Sequence, residues 1–488
     1  MKKIFTSTIL LFILFTQSKA QTGQFVPELV ALDTAMAALL ADYNVPGGQL
    51  ALTYQGRLVY NRGFGYANTS TSALVQPSSS FRIASVSKPV TAVAVMKLYE
   101  QGLINLDAKV FGPTGILNDS IYQNILDSRV NDITIRQLLQ HEGGWDRNLS
   151  GDPMFNAYNI AISMGVPPPG DPVTTVRYML ENRMLDFTPG TQSQYSNFGF
   201  CVLGRVIEKI TGQSYEAYLR NSILAPCGIY EMQLGNNLEA DLLPNEVHYY
   251  DYAGAPLAYS VYDNTSLVPW QYGGFNVEFM DSHGGWVATS EELCKLLVSI
   301  DRFSTKPDIL TTATIDTMIK PSTTNPNYAC GIAVNAFNNW WHMGSLPGTT
   351  SEIVRAGNMQ LNWAILLNTR NAGSGPLETA VDNLVWNSLS QISSWPTHDL
   401  FTSIDETEMS ILILYPNPAS ETISLSLTDP AHRNSELRIF DMLGKNVYSS
   451  ELIGDNSQIN ISVLENGIYF VQISKEGKQY LRKFIVQH

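Results

Sequence analysis

Strand-like segments sit at two distant places in this chain, and that placement constrains the fold more than any other feature. Gln49–Tyr54 and Arg57–Arg62 alternate apolar and polar residues around Gln55-Gly56, the signature of a β-hairpin. Strand character then stops until Tyr328–Val334, Trp340–Met343, Ser351–Ala356 and Leu361–Asn368. The helix Pro27–Tyr43 precedes the first group, and the helix Pro376–Ser390 follows the second. The region between reads as helices and loops from Leu103 to about Phe279, with Asp146–Pro172 a long loop rich in Pro, Gly and Asn. This order predicts an α+β domain: an antiparallel sheet built from both ends of the chain, flanked by helices, beside a helical subdomain. After a polar, acidic linker at 393–410 the pattern is all strand from Ile411 to His488, which predicts a small C-terminal β-sandwich.

The chemistry starts at Ser85-Val86-Ser87-Lys88, at the head of the apolar helix Ser85–Glu100 that Gly102 closes. No other lysine in the chain has a serine three residues before it. Positions i and i+3 share a helix face, so the Lys88 amine can reach the Ser85 hydroxyl. A serine at a helix start also has a free backbone N–H to offer a developing oxyanion. Val90, Ala92, Val93, Ala94 and Val95 surround Lys88 in sequence, and desolvation there would lower its basicity.

Two weaker motifs join it. Tyr195-Ser196-Asn197 is one of five Y-x-N tripeptides, and context selects it: it lies between the turn Thr188–Thr191 and the apolar helix Phe198–Ile210. A lysine cation nearby would lower its phenol pKa and let it shuttle protons. His342-Met343-Gly344 is one of three H-x-G tripeptides, the others beginning at His141 and His283. It starts a strand and is followed by Ser345-Leu346-Pro347-Gly348. A strand glycine admits close approach of a ligand or another backbone.

Together with Phe81–Ser85, Ile133–Leu139, Pro189-Gly190-Thr191, Gly204–Glu208 and Gly284-Gly285-Trp286, these motifs give the resemblance. Over residues 27–390 the chain resembles the serine β-lactamase and penicillin-binding-protein superfamily, on its class C, DD-peptidase and esterase side. That resemblance implies an acyl-enzyme on Ser85, with Lys88 as base or electrostatic partner and a phenolate-like Tyr195 relaying protons. It implies that Asn197 holds Lys88 and a substrate carbonyl, that His342 and Gly344 help bind substrate, and that the N–H groups of Ser85 and Ser345 form the oxyanion hole. It does not decide between Lys88 and Tyr195 as acylation base. No metal or organic cofactor is called for, and the expected partner is a small-molecule or peptide substrate. Class C β-lactamases carry Lys-Thr-Gly where this chain has His342-Met343-Gly344. Histidine is only partly charged near neutral pH, and Met343 is a weak acceptor. The expected activity is therefore that of an esterase or D-Ala-type peptidase, with a β-lactamase or a non-turnover penicillin-binding sensor as alternatives.

The ends of the chain point outside the cell. Lys2 and Lys3, the apolar run Thr8–Phe15, and small residues at Ser18 and Ala20 read as a secretory signal over 1–20. The run is too short to span a bilayer as a helix, so no membrane span is expected. The tail from Tyr415-Pro416-Asn417-Pro418, with Asn466–Phe470 and Arg482-Lys483, resembles a type IX secretion sorting domain over 411–488. Such a tail, as found on exported Bacteroidota proteins, implies the type IX machinery as partner, with passage through the periplasm to the cell surface or medium. A net charge of −14 argues against nucleic-acid binding. Cys201, Cys227, Cys294 and Cys330 lack metal-ligand spacing and read as free thiols, although an exported chain could pair them.

Overall fold

The computed structural model describes residues 20–373, 375–401, 412–427, 433–441, 445–452, 454, 456–475 and 478–488. The signal at 1–20 thus lies outside the described residues except for Ala20, as do residues 402–410 of the linker. The chain divides into two compact units at Asp399/Leu400.

In the first unit, helix α1 (Val30–Asp42) leads into β1 (Gly47–Tyr54) and β2 (Arg57–Asn68). Gln55 and Gly56 both have positive φ, 50° and 75°, as a two-residue turn matched to strand twist requires. Helices α2 (Ser87–Glu100), α3 (Asn197–Thr211) and α4 (Ser290–Val298) follow, then β3 (Asn339–Leu346), β4 (Thr349–Ala356), β5 (Leu361–Leu367) and α5 (Pro376–Leu389). The sheet order is β2-β1-β5-β4-β3, antiparallel throughout, with short strands Gln21–Thr22 and Ala333–Val334 on its two edges. Early strand β1 pairs with late strand β5, Leu50 opposite Ile365. The two ends of this unit therefore close one sheet, as the strand placement predicts.

α1 and α5 cover one face of the sheet. Leu32, Met36, Val381 and Val385 pack with Leu50, Leu52, Trp363 and Ile365 in one apolar cluster. α2 is buried nearly all round, from Ser87 to Met96, as suits a helix apolar on every side.

Two expectations change. Tyr328–Val334 reads as a strand, but only Ala333 and Val334 pair with β3. The segment Asp146–Pro172 is not a structureless loop: it holds the short helical pieces Arg147–Ser150, Pro153–Phe155 and Ala157–Ser163 and leads into the helix Pro172–Asn182. Asp146, Asp152 and Asp171 each cap one of these starts, accepting from the backbone N–H of Asn148, Met154 and Thr174. The Pro and Gly content masks these caps.

The second unit has two antiparallel sheets, one of three strands (412–415, 422–427, 456–460) and one of four (435–441, 446–452, 467–475, 478–486). Leu425, Leu437, Ile439, Ile459, Val471 and Phe484 form their shared core, the packing expected of a small sandwich. No helix among the described residues is long and apolar enough to cross a membrane.

Candidate active site

The segment entering α2 is pinned before it reaches Ser85. Phe81–Arg82 pairs with Trp286–Ala288. Two hydroxyls of β4 hold the next carbonyls: Thr349 Oγ1 donates to Arg82 O at 2.7 Å and Ser351 Oγ to Ile83 O at 2.6 Å. Ala84 then takes φ +48°, a left-handed conformation that a residue with a Cβ adopts at a cost. Strand, left-handed residue and helix start together make a sharp elbow with Ser85 at its tip.

Lys88 is fully buried. Its Nζ donates to Ser85 Oγ at 3.0 Å and to the His283 carbonyl at 2.8 Å. Burial pushes its pKa well below the ordinary lysine value; Asp152 opposes that fall and Arg147 adds to it. Lys88 is therefore held toward the neutral amine, which can accept a proton.

Tyr195 lies over this pair. Lys88 Nζ is 4.8 Å from its ring centroid, and the Ser85 side chain is close enough to lower its phenol pKa. The phenolate expectation is reversed here. Burial raises the phenol pKa above its ordinary value, and Ser85 offsets only part of that. The reason is physical: burial disfavours the charged phenolate, and the Lys88 amine beside the ring has its own charged form disfavoured by the same burial.

Asn197 is also placed differently. Its Nδ2 donates to Asp152 Oδ2 at 2.6 Å, whereas Lys88 bonds Ser85 and His283. Asn197 still lines a small cavity of ≈ 50 Å³ beside Ser85, along with Arg147, His283 and Ser345.

His342 does not line that cavity. It is only 5% exposed, and burial, reinforced by Lys88, drives its pKa down to about 3. Nδ1–H donates to Met343 O at 2.7 Å, which leaves Nε2 to accept from the Tyr328 hydroxyl at 3.1 Å. A partly charged, substrate-facing His342 is thus replaced by a neutral, buried ring whose two nitrogens are both engaged.

Gly344 serves the close approach expected of it. A Cβ there would lie 2.5 Å from Ile83 O and 2.9 Å from Ser85 N, and would also collide with Ser351 Oγ. β3 can therefore run against the elbow, and Ser345, the next residue, is exposed to the cavity. Gly344→Ala is expected to part strand and elbow and to lower kcat/KM by roughly 10²-fold, the scale of an ångström-sized misplacement. Steady-state kinetics alongside circular dichroism would check that activity falls while the fold persists.

Sequence reasoning missed Arg147, Asp152, His141, His283 and Tyr328. One signal was present. The repetition of H-x-G argues against the motif, yet all three histidines surround Lys88: the His141 ring lies tilted against Tyr195 at 4.4 Å, His283 offers its carbonyl to Lys88, and His342 lies 6.4 Å from Tyr195 between ring centroids. Burial depresses the pKa of each, with Lys88 contributing. Among the described residues no group of three or more His, Cys, Asp or Glu side chains is placed to share a metal ion. All four cysteines are free thiols.

A serine elbow, a buried lysine and a tyrosine on one hydroxyl form the site around which a known family is built. Residues 32–383 match the Beta-lactamase family model. The chain belongs to this family. Residues 413–487 match the Secretion system C-terminal sorting domain, which marks the chain for export by the type IX route. Penicillin-binding protein 4* of Bacillus subtilis is 29% identical over 217 residues, 44% of this chain and 42% of that protein. Protein flp of Staphylococcus aureus is 26% identical over 201 residues, 40% of this chain and 36% of that protein. These alignments span about two fifths of each relative. Among solved structures, the octameric penicillin-binding protein homologue from Pyrococcus abyssi aligns with TM-score 0.54 at 20% identity, covering 94% of this chain and 96% of that one. D-amino acid amidase from Ochrobactrum anthropi SV3 gives 0.56 at 21% identity, covering 74% and 98%. The hydrolase EstCE1 gives 0.57 at 18% identity, covering 75% and 99%. At these identities the three share the fold. The family is one of serine hydrolases.

Proposed function

We propose that this β-lactamase-family protein is an exported hydrolase that cleaves an ester or amide through an acyl-enzyme on Ser85. The observation that carries the reading is the 3.0 Å contact between Ser85 Oγ and a buried Lys88 whose pKa is depressed. Neutral Lys88 takes the Ser85 proton as Oγ attacks the carbonyl carbon. The oxyanion forms between the N–H groups of Ser85 and Ser345, where each donor is worth about 2.7–4 kcal/mol in comparable sites. Tyr195, a neutral phenol at rest, passes a proton to the leaving group, and Lys88 restores it. Water then repeats the sequence on the acyl-enzyme, releasing the acid and regenerating Ser85. Asn197, fixed by Asp152, points its amide at the bound substrate.

An open-chain ester or D-aminoacyl amide fits this site better than a β-lactam. A β-lactam fixes its carboxylate relative to the ring, on the side where class C enzymes offer Lys-Thr-Gly. Here that strand offers a neutral, buried His342 and a Met343 that packs into the opposite core cluster. A p-nitrophenyl ester is expected to show a higher kcat/KM than nitrocefin. A clear preference for nitrocefin would replace this reading with that of a β-lactamase.

A further inference from the structure

We propose that Arg147 is the anion receptor of the Ser85 cleft and that the preferred substrates carry a carboxylate near the scissile bond. The inference rests on the hydrolase reading above and adds the substrate class.

Arg147 follows the capping residue Asp146 at the first turn of the 146–172 segment, and it lines the cavity together with Ser85, Asn197 and Ser345. It is the only Lys, Arg, Asp or Glu among the residues lining that cavity. His283, the other ionisable group there, is kept neutral by burial. Arg147 is exposed, and its guanidinium carbon sits 4.6 Å from the centroid of the Tyr195 ring. Stacking uses the face of a guanidinium and leaves its edge N–H donors free. Among the described residues no hydrogen bond or ion pair engages those donors.

The acidic neighbours are committed elsewhere. Asp146 Oδ1 accepts from Asn148 N, Asp152 Oδ1 from Met154 N, and Asp152 Oδ2 from Asn197 Nδ2. In a chain of net charge −14, a cation held on an aromatic ring at the mouth of the nucleophile's cleft is an unfilled site for a carboxylate. Such planar, charge-assisted pairs are the strong class of hydrogen bond. The charge comes from the 146–172 segment and not from β3. A flexible substrate can turn its carboxylate to that side, whereas a fused β-lactam ring cannot.

The test compares mono-p-nitrophenyl glutarate with p-nitrophenyl valerate, which differ chiefly in a terminal carboxylate. The wild-type protein is expected to favour the glutarate ester. Arg147→Gln should lower the glutarate-to-valerate ratio of kcat/KM at least tenfold, Arg147→Lys should recover part of it, and added salt should compress it. An unchanged ratio in Arg147→Gln, or an equal fall for both esters, would overturn the proposal; an equal fall would leave Arg147 only positioning Tyr195. A binding arm separates this from failure of the hydrolase reading. In the Ser85→Ala background, adding Arg147→Gln should weaken equilibrium binding of the glutarate ester about tenfold. Loss of that difference overturns the anion site, whereas turnover persisting in Ser85→Ala overturns the nucleophile.

Discussion

Ser85→Ala is expected to lower turnover of any accepted ester by roughly 10⁴-fold or more, the range seen when a serine nucleophile is removed from a hydrolase that works as a unit. The expectation rests on the elbow. Ser85 follows a left-handed Ala84, its entry strand is tied to β4 by Thr349 and Ser351, and its hydroxyl meets both Lys88 and Tyr195. None of the pinning bonds involves the Ser85 side chain, so the alanine variant should keep the native fold and melting temperature. A variant that folds and still turns over ester would move the nucleophile elsewhere.

The second large effect belongs to Lys88. Lys88→Met keeps an unbranched chain in the buried slot and removes the base, so kcat should fall by roughly 10²–10⁴-fold. Lys88→Arg discriminates base from electrostatic partner. A guanidinium stays protonated at every accessible pH, so it would support activity only if positive charge were what Ser85 needs. Equal loss in both variants supports the base, and rescue by arginine contradicts it. The pH profile follows with a definite sign. The active form is neutral Lys88, so kcat/KM falls as pH drops through its depressed pKa, which lies well below the ordinary lysine range. Tyr195, with its pKa raised, stays protonated through the neutral range and contributes no acid limb. An activity that instead rises toward acid would assign the base to another group.

How much of this was legible in the sequence depends on how local each feature is. The hairpin turn at Gln55-Gly56 was readable because two adjacent residues with positive φ satisfy it. The Ser85–Lys88 contact was readable because three residues of helix bring it about. The sheet was readable because strands at both ends of a domain must find partners. What stayed hidden depends on distant packing. Asn197 binds Asp152, 45 residues away, and no short motif encodes that pair. Tyr195 reads as a phenolate from the expectation of a nearby lysine cation, and His342 as partly charged from the ordinary imidazole pKa. Burial disfavours the charged form of both Lys88 and Tyr195, and so opposes the phenolate. Tyr328, fourteen residues before His342, supplies the hydroxyl that completes the histidine's bonding. Its segment reads as strand, while Tyr328 itself packs against His141 and His342. The helices of 146–172 carried visible aspartate caps, yet the Pro and Gly content outweighed them. The charge that now defines the cleft mouth, Arg147, lies in that misread stretch.

The most direct test of the account is mass spectrometry of the intact protein quenched during turnover of an ester or exposure to a penicillin. One added acyl group per chain is expected, mapped by peptide digestion to Ser85 and missing from Ser85→Ala. An acyl group on any other residue, or equal labelling of the Ser85→Ala protein, would contradict it.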